Sequence, residues 1–367
     1  MNILIYSPSN LRAADQQAQA ELLISLGHKV FLLTWLPPGV LHQNFTALGA
    51  IACSSAHVKG RSLFFFIRQA GYLISFCKKY KIDIVFSHLQ SNAVVAGLAN
   101  FFVKARFFYM RHNSDYFSLN KSLKSTFLNK AANLLSPEII AISNNVKRQL
   151  IKEGVNEKKI HRINLCYNFE HYQTERLYNS GAIRQENSGD IVLLYIARLD
   201  ALKRHILAFE IIRQLCNEGF NCKLICIGEG PYRQNLEDWI QTNKLQKNII
   251  LKGFVPNVFD YIEASDLLLL LSYSEASSHA IKEAGICNKP VIVCKGVGDF
   301  EDYITNNENS YLVNKENPVN ETVVLLRRLI KEKQELPLVG LKLHDTIEKT
   351  FGLKNVKEQY RQILNNK

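Results

Sequence analysis

No run of about 18 apolar residues occurs in the 367-residue chain, so no membrane-spanning helix is expected. None of the eight cysteines forms a Cys-x-x-Cys pair, and the ten histidines show neither His-x-x-x-His nor Cys/His spacing. A zinc centre is therefore not expected. There is no Asp-x-Asp, which argues against the usual metal-carrying transferase motif, and there is neither a Gly-x-Ser-x-Gly nor a Walker loop. The first residues, MNILIYSPSNL, lack a basic segment followed by a long apolar stretch. They read as a buried first strand and not as a signal peptide, so the expected location is the cytoplasm. Disulfides are not expected there, and Cys222 and Cys226, on one face of a predicted strand, read as small core residues.

An apolar content of 47% and a charged content of 21% suit a soluble chain that buries a full core, with room for two domains. The net charge of +12 is unevenly placed: residues 1–180 hold 21 Lys and Arg against 9 Asp and Glu, and the remainder holds 24 against 24. The basic half suits an anionic partner: a membrane surface, an anionic acceptor or nucleic acid. No stacked-aromatic motif or helix-turn-helix supports nucleic acid, which is not expected as a partner.

Short apolar runs alternate with helical segments throughout. Asn2–Tyr6, Lys29–Thr34, Asp83–Phe86, Arg106–Met110 and Glu138–Ile142 read as buried strands of a doubly wound first domain. The alternation stops in a polar, aperiodic stretch and restarts with Ile191–Ala197, Lys223–Ile227, Ile249–Leu251, Leu267–Leu271 and Pro290–Cys294. The expected layout is α/β, with Rossmann-like domains over 1–170 and 191–350 and a linker over 171–190. The last segment, 351–367, is amphipathic and is predicted to pack back toward the first domain. The two parallel sheets would face each other across a cleft suited to a nucleotide-containing ligand.

The stretch Leu268–Val293 reads as strand, polar turn, helix and strand, with Glu275 and Glu283 flanking the turn. Such a turn lies at the carboxyl end of a parallel strand, where ligands of open α/β sheets bind. Were both carboxylates helical, they would lie about 12 Å apart along the axis and about 80° around it. That exceeds the roughly 5–9.5 Å of a glycosidase pair and suits a grip on two ends of one extended ligand. Ser277, Ser278 and His279 fall at the helix start, where N–H groups can face a diphosphate. Arg198 and Lys203 follow another strand and can neutralise a pyrophosphate without a metal, or can be two solvated surface cations. Gly228 and Gly230 permit close backbone approach at an ordinary strand-to-helix turn or at a ligand. The Gly253-Phe254-Val255-Pro256 loop can lay backbone groups against a nucleobase. His88 and His112 each stand at a strand end, placed to reach a ligand or to cap a loop. The segment Gly60–Lys81 carries Arg61, Arg68, Lys78, Lys79 and Lys81 among aromatic residues. It reads either as a helix lying on an anionic bilayer or as a crossover helix with a solvated basic face. Lys104, Arg106, Arg111, Lys121 and Lys124 add to the bilayer reading.

Taken in order, Arg198…Lys203, Gly228-x-Gly-Pro231, Gly253-Phe-Val-Pro256, Ser265-Asp266 and Glu275-x7-Glu283 resemble the landmarks of the retaining family 4 GT-B glycosyltransferases. Leu26-Gly-His-Lys-Val30, Asp83–His88, Ala141-Ile-Ser143 and Asn168-Phe-Glu170 resemble the family's first half. The resemblance implies transfer of a sugar, with retention, from a nucleotide-diphosphate sugar donor to a saccharide or lipid-linked saccharide acceptor. Polysaccharide, lipopolysaccharide or glycolipid synthesis at the cytoplasmic face of a membrane is the expected setting. By analogy Arg198 and Lys203 hold the diphosphate, Glu283 the ribose, Glu275 the donor sugar, and His112 approaches the reacting carbon. No cofactor or metal is then required. The chain departs from the family at Pro8-Ser-Asn-Leu-Arg-Ala-Ala14, where Gly-Gly is common, and at Ala276-Ser-Ser278, where Gly-Phe-Gly is usual. The alternative is a sugar-nucleotide-binding partner without turnover.

Overall fold

The computed structural model describes residues 1–58, 63–112, 123–174 and 179–365. The chain divides into two compact units, Met1–Tyr167 with Phe351–Lys367, and Asn168–Thr350. Each is built on one sheet whose strand pairs are all parallel.

In the first unit the strands are β1 (Asn2–Ser7), β2 (Lys29–Thr34), β3 (Ile51–Ser54), β4 (Ile84–His88), β5 (Arg106–Arg111), β6 (Glu138–Ala141) and β7 (Ile160–Arg162). Their order across the sheet is β3-β2-β1-β4-β5-β6-β7. In the second unit β8 (Ile191–Ile196), β9 (Cys222–Ile227), β10 (Ile249–Gly253), β11 (Leu267–Leu270), β12 (Val291–Cys294) and β13 (Tyr311–Val313) lie in the order β10-β9-β8-β11-β12-β13. Central strands read as unbroken apolar runs because helices cover both faces: every residue of β11 and β12 is buried. These are the two Rossmann-like domains that the alternation predicts. Three strands escape the sequence reading, β3, β7 and β13, and each is an edge strand of three or four residues.

The stretch 171–190, expected to be a linker, lies in the second unit and carries a helix over Ser180–Glu186. Arg184 pins this helix by donating to the Ala264 carbonyl at 3.2 Å and to Asp266 Oδ2 at 3.0 Å. Its polarity is that of a short helix with one covered side. The terminal helix, Leu353–Asn365, belongs to the first unit and buries Val356, Tyr360, Ile363 and Leu364. All eight cysteines are free thiols, and Cys222 and Cys226 are buried.

Arg111 departs most sharply from its reading as part of a basic surface. It ends β5 with no exposed area and is bonded to Glu153 at 2.9 and 3.1 Å and to Asn129 Oδ1 at 2.7 Å. Asn129 and Asn133 donate in turn to Glu153. Burial pushes the Glu153 carboxyl up, but the guanidinium and both amides outweigh it and hold the group below its ordinary value. Arg106 is likewise engaged, bidentate with Glu138 at 3.0 and 3.1 Å. Gly60, Arg61 and Lys121 lie outside the described residues.

Removing Arg111 strands a half-buried carboxylate and two amides. Arg111→Ala is expected to cost about 3–5 kcal/mol of stability, read as a lower urea midpoint. A variant within 1 kcal/mol of the parent (roughly the worth of a surface pair) contradicts this account of the network.

Candidate active site

In the second unit every candidate loop leaves the carboxyl edge of the same parallel sheet, because all its strands point one way. The loop after β8 carries Arg198 and Lys203, and the loop after β11 carries Glu275. These meet: Lys203 Nζ donates to Glu275 Oε1 at 2.6 Å, both side chains being largely buried. The diphosphate cation and the sugar-side carboxylate of the sequence reading thus form one pair. Arg198 stays 68% exposed, its guanidinium paired at 2.7 Å with Asp200. Asp200 also accepts from the Lys203 amide and fixes the turn that presents Lys203. Beneath that turn the buried Tyr195 hydroxyl donates to the Lys203 carbonyl and accepts from Leu271 N at 3.0 Å. The two carboxyl-edge loops therefore share one anchor.

The glycines have a local reason. A Cβ on Gly228 would meet the Ala197 carbonyl oxygen at 2.1 Å, and one on Gly230 would meet that of Leu199 at 2.3 Å. Their close approach is to the loop bearing Arg198, which they clamp. Phe254 is 83% exposed beside that edge, whereas the Val255 side chain is buried.

The helix after β11 begins at His279, so Glu275 precedes it and only Glu283 is helical. The all-helical spacing of the sequence reading does not apply. Ser277 turns inward: its hydroxyl donates to Asp299 Oδ2 at 2.6 Å and accepts from Lys282 Nζ at 2.9 Å. Ser278, the N-cap, is buried, and His279 and Glu283 are half-buried. Lys282 pairs with Asp299 at 2.6 Å, neither side chain having any exposure. Burial lowers the Lys282 pKa against the pull of Asp299. This pair was missed because a Lys one residue before Glu283 reads as a solvated helix charge. The Asp299 loop also supplies Gly298, at φ +59°, where a Cβ would lie 3.1 Å from the Glu275 Cβ. Tyr273 was missed as well: the Lys315 ammonium lies 3.9 Å from its ring centre and the Arg204 guanidinium 5.4 Å.

In the first unit β4 and β5 bring His88 and His112 together, His88 Nδ1 lying 2.9 Å from His112 Nε2. Asp15 Oδ2 is 3.8 Å from His112 Nδ1. Ligating atoms of these three residues lie within 4.8 Å of one another. His88 nevertheless has both ring nitrogens in hydrogen bonds, the second to Gln19 at 3.0 Å, so the cluster is a hydrogen-bonded pair with a carboxylate beside it. Burial, helped by His112, pushes the His88 pKa down to about 3, and the ring is neutral at pH 7.

Residues 180–339 match the family model described as Glycosyl transferases group 1, and residues 17–170 match Glycosyltransferase Family 4. The chain belongs to the GT-B glycosyltransferases of family 4. It is 26% identical over 352 residues to alpha-monoglucosyldiacylglycerol synthase of Acholeplasma laidlawii, covering 87% of this chain and 84% of that protein. It is 27% identical over 188 residues to the GPI3 subunit of phosphatidylinositol N-acetylglucosaminyltransferase of Saccharomyces cerevisiae. That match covers 51% of this chain but only 41% of the yeast protein's length. The fold is similar to that of HepE from Anabaena, solved in complex with UDP, at a TM-score of 0.84 with both chains wholly covered and 16% identity.

Below Lys203 in this family 4 chain, His205 is buried against the Tyr195 ring, and neither of its ring nitrogens has a hydrogen-bond partner. Burial lowers its pKa to about 4. Between that value and the ordinary 6.5 the unfolded chain binds a proton that the folded chain refuses. Stability is therefore full above about pH 6.5 and falls toward pH 4 by about 1.4 kcal/mol per pH unit. Urea unfolding at pH 7 and pH 5 should show His205→Phe losing about 2 kcal/mol less than the parent across that interval. An equal loss in both proteins would rule out His205 as the source.

Proposed function

We propose that the protein is a retaining, metal-independent glycosyltransferase that moves a sugar from a nucleotide-diphosphate sugar to a saccharide or lipid-linked saccharide. Cell-surface polysaccharide or glycolipid synthesis is its setting. The observation that carries this reading is the Lys203–Glu275 contact at the carboxyl edge of the second sheet, with Arg198 on the same loop as Lys203. A diphosphate arriving there meets two cations, one already exposed and one released as Glu275 turns to the sugar hydroxyls. The cations stabilise charge that develops on the departing diphosphate. Glu283 binds the ribose, and a phosphate oxygen takes the acceptor's proton. HepE is solved with UDP and with UDP-glucose, so UDP-sugars are the first donors to try.

Lys203→Ala is expected to lower kcat about 10²–10³-fold, and Glu283→Ala to raise the donor KM, with circular dichroism unchanged. Transfer should persist in EDTA. Full activity in Lys203→Ala, or loss on chelation, contradicts the assignment. Donor binding by calorimetry without product from any acceptor would favour a non-catalytic binding role.

We also place the basic first unit on an anionic membrane. Its helices Leu63–Tyr80, Gln90–Asn100 and Leu123–Leu135 pack side by side and hold no acidic residue. Phe64, Ile67, Phe101, Phe102, Phe127 and Leu134 are exposed on or just beyond them, among the exposed Arg68, Lys104, Lys124 and Lys130. Apolar insertion and cationic attraction reinforce each other at such a surface. Sedimentation with vesicles should show binding that rises with anionic lipid, weakens in salt, and falls at least tenfold in Phe101→Ser/Phe102→Ser/Phe127→Ser. Equal binding to neutral vesicles, or an unaffected variant, refutes the placement.

A further inference from the structure

Among the described residues, the His88–His112 pair continues inward as a chain of hydrogen bonds. His88 Nε2 lies 3.0 Å from Gln19 Oε1, and Gln19 Nε2 donates to the Tyr360 hydroxyl at 3.1 Å. Gln19, His88 and Tyr360 are all buried, and Tyr360 comes from the terminal helix, 341 residues from Gln19. Asp15 and Gln19 stand one helical turn apart on the Ala14–Ser25 helix, so one helix face meets both ends of the histidine pair.

An amide has one accepting and one donating end. In the structure the Gln19 nitrogen faces the Tyr360 hydroxyl and its oxygen faces His88; that oxygen can only accept, so the proton of His88 sits on Nε2. His88 Nδ1 is then bare and can only accept. The 2.9 Å contact must therefore be carried by a proton on His112 Nε2. His112 Nδ1 is left on the side of Asp15, whose Oδ2 lies 3.8 Å away.

We propose that Gln19 and Tyr360 are positioning residues that set the proton order of the His88–His112 pair, so that His112 is held with its Nε2 proton turned to His88 and its Nδ1 toward Asp15. Their importance for transfer rests on the reading of His112 as a donor-side residue; the proton order itself does not. The terminal helix then contributes to the chemistry of the first unit as well as to its core.

The test is long-range ¹⁵N–¹H correlation of the imidazoles in the full chain at neutral pH, for the parent, Tyr360→Phe and Gln19→Leu. In the parent, His88 is expected to be neutral with its proton on Nε2. In both variants His88 should populate both tautomers, and kcat should fall roughly tenfold or more with donor KM unchanged, as befits a misplaced group and not a lost contact. Gln19→Glu, which retains an acceptor facing His88, should restore the Nε2 proton. A parent His88 protonated on Nδ1, or an unchanged tautomer in both variants, overturns the proposal. Altered tautomers in a protein that transfers no sugar would leave the proton order standing and remove the transferase reading instead.

Discussion

A sheet whose strands all run one way must place every strand-to-helix turn at the same edge, and most of what is chemically notable here follows from that constraint. The loops bearing Lys203, Glu275 and Asp299, far apart in sequence, follow one another along that edge because β8 lies beside β11 and β11 beside β12. The helices that cover both faces make the central strands apolar throughout, so polar side chains are confined to the strand ends. The Lys203–Glu275 pair is a product of this geometry. So is the contact between His88 and His112 at the ends of β4 and β5.

Loops at such an edge are held by polar interactions below them. Tyr195 binds both the Lys203 carbonyl and the Leu271 amide, coupling two loops through one buried hydroxyl. Lys282 and Asp299, wholly buried, tie Ser277 to the loop after β12. An ion pair of this kind adds little net stability over an apolar pair, since desolvation offsets the attraction. What it does supply is a single arrangement of the turn, because any other leaves a charge unpaired. The same reasoning applies to Arg111, whose network with Glu153, Asn129 and Asn133 fixes the end of β5 one residue before His112.

Close backbone approach is the other device. Gly228 and Gly230 let the turn after β9 lie directly on the Arg198 loop, and Gly298 lets the loop after β12 lie on Glu275. Gly228 and Gly230, which the sequence offers equally to a turn or to a ligand, act first on protein neighbours, shaping the loop that bears Arg198.

The strands with continuous apolar runs, the two-domain alternation and the order of the charged motifs were legible in the sequence, because periodicity and composition are local properties. The edge strands β3, β7 and β13 were not, being too short to carry a pattern, and the Ser180–Glu186 helix was hidden by its polarity. Which charges face solvent was decided only by the tertiary structure. Arg111 and Lys282 look like surface cations until their partners, 42 and 17 residues away, come into place. The same holds for His88, His112, Gln19 and Tyr360. A hydrogen bond spanning 341 residues of sequence leaves no trace in spacing, and only the packing of the terminal helix against the first sheet brings its two ends together.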